Sequence, residues 1–278
     1  MKYRKPAVAG SFYPGNPSAL SKMIGAYLDD AAKDAHSVEG RICGVISPHA
    51  GYIYSGPVAA YGYRLLEGKS FDGFAVFAPS HRGRFKGASV MPEGYYSTPL
   101  GDVEIDSDVA GIILEDEFFG YLKDIDELEH SLEVQVPFLQ TVAHNFRIVP
   151  VVMGTTDTGL CEDMGETVAR AIISSGKNYC IIISTDLSHY HSYEKAVSMD
   201  SKFIEAVSSF DTKKIHEVVN SGSAEACGEG AVLAGLAACR MLGAEQVQVL
   251  KYMNSGDTAG PKDQVVGYMS AVLTGKAG

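Results

Sequence analysis

One arrangement recurs along this chain and limits what it can fold into: a short apolar run, then a loop bearing polar chemistry, then a helical stretch. RICGVIS (41–47) ends in PHAGY, GFAVFAP (73–79) ends in SHRG, and NYCIIIST (178–185) ends in DLSHY, while FRIVPVVMG (146–154) leads into a helical stretch. Runs this short and this rich in β-branched residues read as strands buried on both faces. Strands alternating with helices then imply a mostly parallel sheet covered on both sides. Helices are expected at 18–32, where Asn16 and Pro17 supply a cap and a first helical residue, and at 56–66, 160–174 and 193–208. Residues 33–40 read as a polar linker, 87–106 as hairpins, and 246–254 and 265–273 as strands around the loop SGDTAGPKD. The expected fold class is α/β, with a mixed, mostly parallel sheet flanked by helices. At 278 residues, 46% of them apolar, one core can hold the chain, so a single domain over 1–278 is expected.

Composition excludes several roles. Lys and Arg number 23 against 34 Asp and Glu, a net charge of −11, and no basic cluster stands out. Such a surface repels phosphate backbones and anionic lipid, so neither nucleic acid nor membrane is expected as a partner. No uncharged apolar stretch reaches the roughly 18 residues that span a bilayer, and MKYRKPAVAGSFYPG lacks the apolar run of a signal peptide. Cysteines 43, 161, 180, 227 and 239 are odd in number, widely spaced and contain no CxxC pair, which argues against a disulfide framework. A cytoplasmic location is the expectation. GYRLLEGKS (62–70) imitates a phosphate-binding loop but has five residues between its glycines where four are required, and it closes a helix instead of opening one.

Candidate chemistry gathers at the strand ends. His49, His81 and His189 each follow a predicted buried strand. In open α/β sheets, ligand sites form in the crevice beyond those ends, so three distant imidazoles can be brought together by the sheet. The alternative is three ordinary loop histidines. Asp186 shares a loop with His189 and either orients that imidazole or caps the following turn. In ELEHSLEVQVPFL, His130 and Glu133 share a side if a helix begins there; equally, Ser131 is a helix cap with Glu129 and Glu133 near the positive end of the dipole. Cys227 precedes a glycine-flanked helix start, a position that lowers a thiol pKa and favours the metal-binding thiolate; otherwise it is a core cysteine like the other four.

Several blocks together carry a resemblance: PAVAGSFYPG (6–15), SPHAGYIYSGPVAAYGY (47–63), PSHRG (79–83), EHSLEVQVPFLQ (129–140), STDLSHY (184–190), ACG (226–228), NSGDTAG (254–260) and VVGYMSA (265–271). Over nearly the whole chain this resembles the Memo family, whose prokaryotic branch is protein B of the AmmeMemoRadiSam system. The family is similar in fold to class III extradiol dioxygenases, which are non-haem iron enzymes. The resemblance implies a metal pocket with His49, His81 and Cys227 as ligands, and Asp186 and His189 as catalytic neighbours. It also implies Tyr54 as a lining aromatic, and places His130 and Glu133 in a family block beside the pocket.

Two histidines and a thiolate leave coordination positions open, and the sulfur shifts preference toward Fe(II), Cu(I) or Zn. Non-haem oxygenases carry a carboxylate as third ligand, so the sulfur argues against ring cleavage. The animal branch, linked to phosphotyrosine peptides, carries tryptophan in the N-terminal block; this chain has none, and that role is not carried over. The resemblance further implies a small-molecule or peptide ligand and a functional link to a radical SAM protein and an AMMECR-type protein. Three functions are open: a metal-dependent redox enzyme, a zinc-type hydrolase, and a non-catalytic binding module.

Overall fold

The computed structural model describes residues 2–34 and 37–276. The 33–40 linker therefore has Ala35 and His36 outside the described residues, as the 1–278 domain has Met1, Ala277 and Gly278.

The chain opens with β1 (Tyr3–Arg4) and α1 (Pro17–Ala31), the latter capped by the Asn16 side chain, which accepts from the Ala19 N–H at 3.0 Å. β2 (Arg41–Ser47), α2 (Tyr52–Arg64) and β3 (Gly73–Pro79) follow, then β4 (Ala88–Val90), β5 (Tyr95–Thr98), β6 (Gly101–Glu104), α3 (Ser107–Ile113), β7 (Phe119–Gly120) and α4 (Lys123–Asp126). A 3-10 turn (Glu133–Gln135) runs into α5 (Val136–Val142), and β8 (Arg147–Met153), α6 (Thr158–Ser175) and β9 (Tyr179–Ser184) complete the repeated units. The last part holds β10 (His189–His191), α7 (Tyr193–Ser208), α8 (Thr212–Asn220), α9 (Glu229–Met241), β11 (Gln246–Asn254), α10 (Ser255–Thr258) and β12 (Val265–Gly275).

The four apolar runs form the centre of a nine-stranded sheet in the order β10-β12-β2-β9-β3-β8-β4-β7, with β11 also paired to β12. β2, β9, β3 and β8 are parallel to one another, and β12 and β4 flank them antiparallel. The class is the expected one, α/β with a mixed sheet.

Burial explains the runs. Every residue of β3 and β9 is buried, because helices cover both faces. A Cβ on Gly62 of α2 would meet Val45, and one on Gly235 of α9 would meet Ile183. Val45 pairs with Ile182, so Val45 and Ile183 lie on opposite sides of the pleat, and the two helices lie on opposite faces. The parallel strands thus deliver the loops after β2, β3, β8 and β9 to one edge.

Three local expectations need correction. α2 begins at Tyr52, four residues before the expected start. Of the 87–106 segment, β5 and β6 do form a hairpin, but β4 joins the central sheet beside β8. Ser131 is not a helix cap: its hydroxyl donates to the Pro79 carbonyl at 2.7 Å, and the chain turns through a 3-10 segment first.

Candidate metal centre

His49 stands two residues past β2 and His81 two past β3, as the strand-end argument requires. His130 comes from the loop before the 3-10 turn. The three bring their ligand nitrogens within 4.8 Å of one another. Ring centroids lie 5.2 Å apart for His49 and His81, 5.7 Å for His49 and His130, and 4.5 Å for His81 and His130. His49 is buried, His130 partly so and His81 exposed, so the group is open on one side.

His49 and His81 have their far nitrogens engaged in hydrogen bonds, and His130 has its own close to a carboxylate. Ser184 Oγ, at the end of β9, donates to the Ser131 carbonyl at 2.7 Å and accepts from Gln135 Nε2 at 2.7 Å. Its one hydrogen is thus committed, so His49 Nδ1, at 2.8 Å, is the donor to it and Nε2 keeps the lone pair. Glu129 does the same for His81 and lies close to His130. Its Oε1 lies 2.9 Å from His81 Nδ1 and 3.2 Å from His130 Nδ1, while it accepts from the His130 and Ser131 main chains at 2.8 and 2.9 Å. Its Oε2 accepts from the His81 N–H at 2.5 Å. Burial opposes the Glu129 charge, but these bonds outweigh it and hold the carboxyl down at about 2. Burial, with neighbouring imidazoles, keeps His49 well below its ordinary value, and burial brings His130 down to about 4 against the pull of Glu129. Neutral imidazoles with fixed tautomers are the form in which histidine binds metal.

Cys227 lies outside that group of three and touches one member. Its Sγ is 3.1 Å from His49 Nε2 and accepts from the Asp186 N–H at 3.3 Å. α9 does start just behind it, but the expected lowering of the thiol is overturned: burial and the Asp186 carboxylate push the thiol up well beyond its usual range. Without a metal the sulfur is a neutral thiol donating to His49. Its approach depends on Gly228, whose Cβ would come 2.4 Å from the Ser184 carbonyl.

Asp186 is buried there too. Its Oδ1 accepts from the His49 N–H at 2.7 Å and its Oδ2 is 4.0 Å from His49 Nε2, so it holds His49 more directly than His189. Burial raises its carboxyl to about 6, against the pull of that hydrogen bond and of His189 and His81. His189 influences both His49 and Asp186 electrostatically and is anchored through its main chain, which donates to Glu225 at 3.2 Å. Tyr54, half-buried in the first turn of α2, has Tyr268 as its electrostatic neighbour.

Glu133, although only three residues from His130, turns elsewhere. It takes the Arg4 guanidinium, the Ala7 and Val8 N–H groups at 2.6 and 3.0 Å, and the Tyr13 hydroxyl at 2.5 Å. Sequence reasoning gave Glu129 no site role and did not single out Ser184 or Gln135. The available signal was adjacency: Glu129 precedes His130, and Ser184 opens the loop block that holds Asp186.

Comparison with known proteins decides the family. The chain matches the Memo-like protein family over residues 4–272. It is 41% identical to a MEMO1 family protein of Methanothermobacter thermautotrophicus, over 95% of this chain and 98% of that one. It is 38% identical to one from Methanosarcina mazei, covering 98% and 100%, and 36% identical to one from Nitrosopumilus maritimus, covering 95% and 97%. The chain belongs to the Memo family. The α/β architecture described above is consistent with the Memo fold, which resembles that of extradiol dioxygenases. In this member three imidazoles with a thiol beside them are a donor set suited to a first-row transition ion, so the His49, His81 and His130 group can hold a metal.

Proposed function

We propose that this Memo protein is a metal-dependent redox enzyme related to the dioxygenases, holding Fe(II) or Cu(I) between His49, His81, His130 and Cys227. The observation that carries the reading is the fixing of two imidazoles from behind, His49 by Ser184 and His81 by Glu129, with the same Glu129 carboxylate 3.2 Å from His130 Nδ1. Donors held in register by a further layer of hydrogen bonds are what an ion-binding site needs and what chance loop histidines lack. A bound redox-active ion would supply one-electron and oxygen chemistry. Around it, Asp186 holds the His49 main chain, and His189 is the group available as a general base for a small organic substrate.

The test is metal analysis of anaerobically purified wild type, His81→Ala, His130→Ala and Cys227→Ala, with oxygen uptake in the presence of a reductant. Stoichiometric iron or copper in the wild type, lost in the histidine variants, is expected. A wild type without either metal ends this reading.

A second reading, a zinc-type hydrolase, draws support from the third imidazole, since three histidines with an open position suit a zinc-activated water. It requires zinc at full occupancy and ester or amide hydrolysis without oxygen uptake. A cytoplasmic location and a functional link to a radical SAM protein and an AMMECR-type protein belong with the first reading; co-purification with those proteins is the check. Among the described residues no helix is long and apolar enough to cross a membrane.

A further inference from the structure

A cavity of about 880 Å³ opens between the loop after β3, the loop joining β8 to α6, and the start of α9. Cys227 lines it, as does Ser80, the residue before His81, so the cavity reaches the candidate centre. Its walls combine two chemistries. Phe85, Phe118 and Met153 supply apolar surface, and Phe85 packs on Gly154, where a Cβ would come 2.5 Å from the ring. Arg84 and Lys86 supply charge, both from the loop that carries His81.

The chain is acidic overall, with a net charge of −11, and among the described residues Arg84 and Lys86, like many of its cations, take part in no ion pair, so their charge is open to a ligand. Arg82, between His81 and Arg84, is by contrast tied to the Leu128 carbonyl at 2.8 Å. Lys86 lies 4.9 Å from the centre of the Phe118 ring, which places its charge over the apolar wall. The carboxylates on the cavity come from the other side of the chain's fold, α6: Asp157, whose Oδ1 caps that helix at the Leu160 N–H, and Asp163. Arg84 also acts electrostatically on the Glu229 carboxyl, but neither cation is in an ion pair, and two such cations beside aromatic surface, in a cavity of ordinary ligand size, suit a carboxylate or phosphate carried on an apolar body.

We infer that this cavity binds a small organic anion, its charged group held by Arg84 and Lys86 and its apolar body on Phe85 and Phe118, with one end at Cys227. The assignment rests on the proposed metal centre only for what happens at that end; the binding itself needs no metal.

The experiment uses chelator-treated full-length protein, titrated calorimetrically and by ligand-observed NMR with benzoate, phenyl phosphate, benzyl alcohol and benzylamine. At least one anion binds about tenfold or more tightly than the alcohol and the amine, and the better anion names the carboxylate or the phosphate class. Arg84→Gln combined with Lys86→Gln weakens that anion about tenfold while thermal stability and metal uptake stay at wild-type values. The inference is overturned if neither anion binds by about 10 mM, if the neutral or cationic analogue binds as tightly, or if the double variant binds unchanged. Metal uptake by the same samples separates the two readings. Anion binding without metal uptake removes only the metal reading, and metal uptake without anion binding removes only this one.

Discussion

Asp186 shows how single residues at this site are tuned against stability. Its carboxyl is raised to about 6 by burial, while an unfolded aspartate ionises near 3.9. Between those values the folded chain binds more protons than the unfolded one, so this group's contribution to stability is present at low pH and is lost as pH rises through about 6. Asparagine keeps an oxygen for the His49 N–H and carries no charge. In metal-free protein, Asp186→Asn is therefore expected to melt above wild type at pH 7, with the gap closing as pH falls toward 4. The depressed imidazoles of His49 and His130 destabilise both proteins alike in acid. Thermal melts from pH 4 to 7 with chelator present check this, and a lower melting point for the variant at pH 7 would mean burial does not dominate. With metal the order reverses, because the same carboxylate attracts the ion. At Glu129, whose carboxylate holds the His81 imidazole and lies 3.2 Å from that of His130, Glu129→Gln is expected to weaken metal binding about 10- to 100-fold in competition with a coloured chelator. His49 and His81 were legible in sequence because strand ends are marked by the runs before them. The convergence of His130 was not, because its loop is carried to the strand ends by contacts made across the fold, Ser131 to the Pro79 carbonyl and Arg4 to the Glu129 carbonyl. The thiol of Cys227 was misjudged because a helix dipole is a local cue, whereas burial and Asp186 are tertiary ones.

At the scale of elements, α9 is the piece that places the sulfur, and it is wedged between α6 and the sheet. The wedge depends on glycine: a Cβ on Gly165 of α6 would come 2.0 Å from the Ala234 carbonyl, and one on Gly235 of α9 would enter Ile183. Backbone cannot move aside as a flexible side chain can. Gly165→Ala is therefore expected to cost about 1–3 kcal/mol, read as a lower urea midpoint at an unchanged slope. A midpoint equal to wild type would show that α6 can shift without cost. The strands were readable because burial on both faces leaves an unbroken apolar run, and α7 was placed to the residue at Tyr193–Ser208. α2 was begun too late because its cap is Gly51, with no side chain to announce it. Ser131 carried the right residue type for a cap, but Pro79 and Glu129 claim its hydroxyl and its N–H.

For the molecule as a whole, the candidate centre depends on how the beginning of the chain is fastened to its middle. Arg4 is fully buried, and its guanidinium donates to Glu133, to the Glu129 carbonyl and, at 3.1 and 3.3 Å, to the Asp126 carbonyl. Glu133 in turn holds the Ala7 and Val8 N–H groups, and Phe12 of that same segment packs edge-on against His130, ring centres 4.8 Å apart. The segment that supplies Glu129 and His130 is therefore gripped by residues more than a hundred positions earlier. Removing one partner leaves the other charge buried and unpaired, so Glu133→Ala is expected to cost about 3–5 kcal/mol in urea unfolding. Stability loss alone would say nothing of the site, so metal affinity has to be measured where the variant is still folded. If the fastening sets His130, Glu133→Ala weakens metal binding, and adding His130→Ala weakens it little further, the non-additivity of two changes acting through one group. Fully additive losses, or wild-type affinity in Glu133→Ala, would show that the N-terminal segment stabilises the fold and leaves the imidazoles to Glu129 alone.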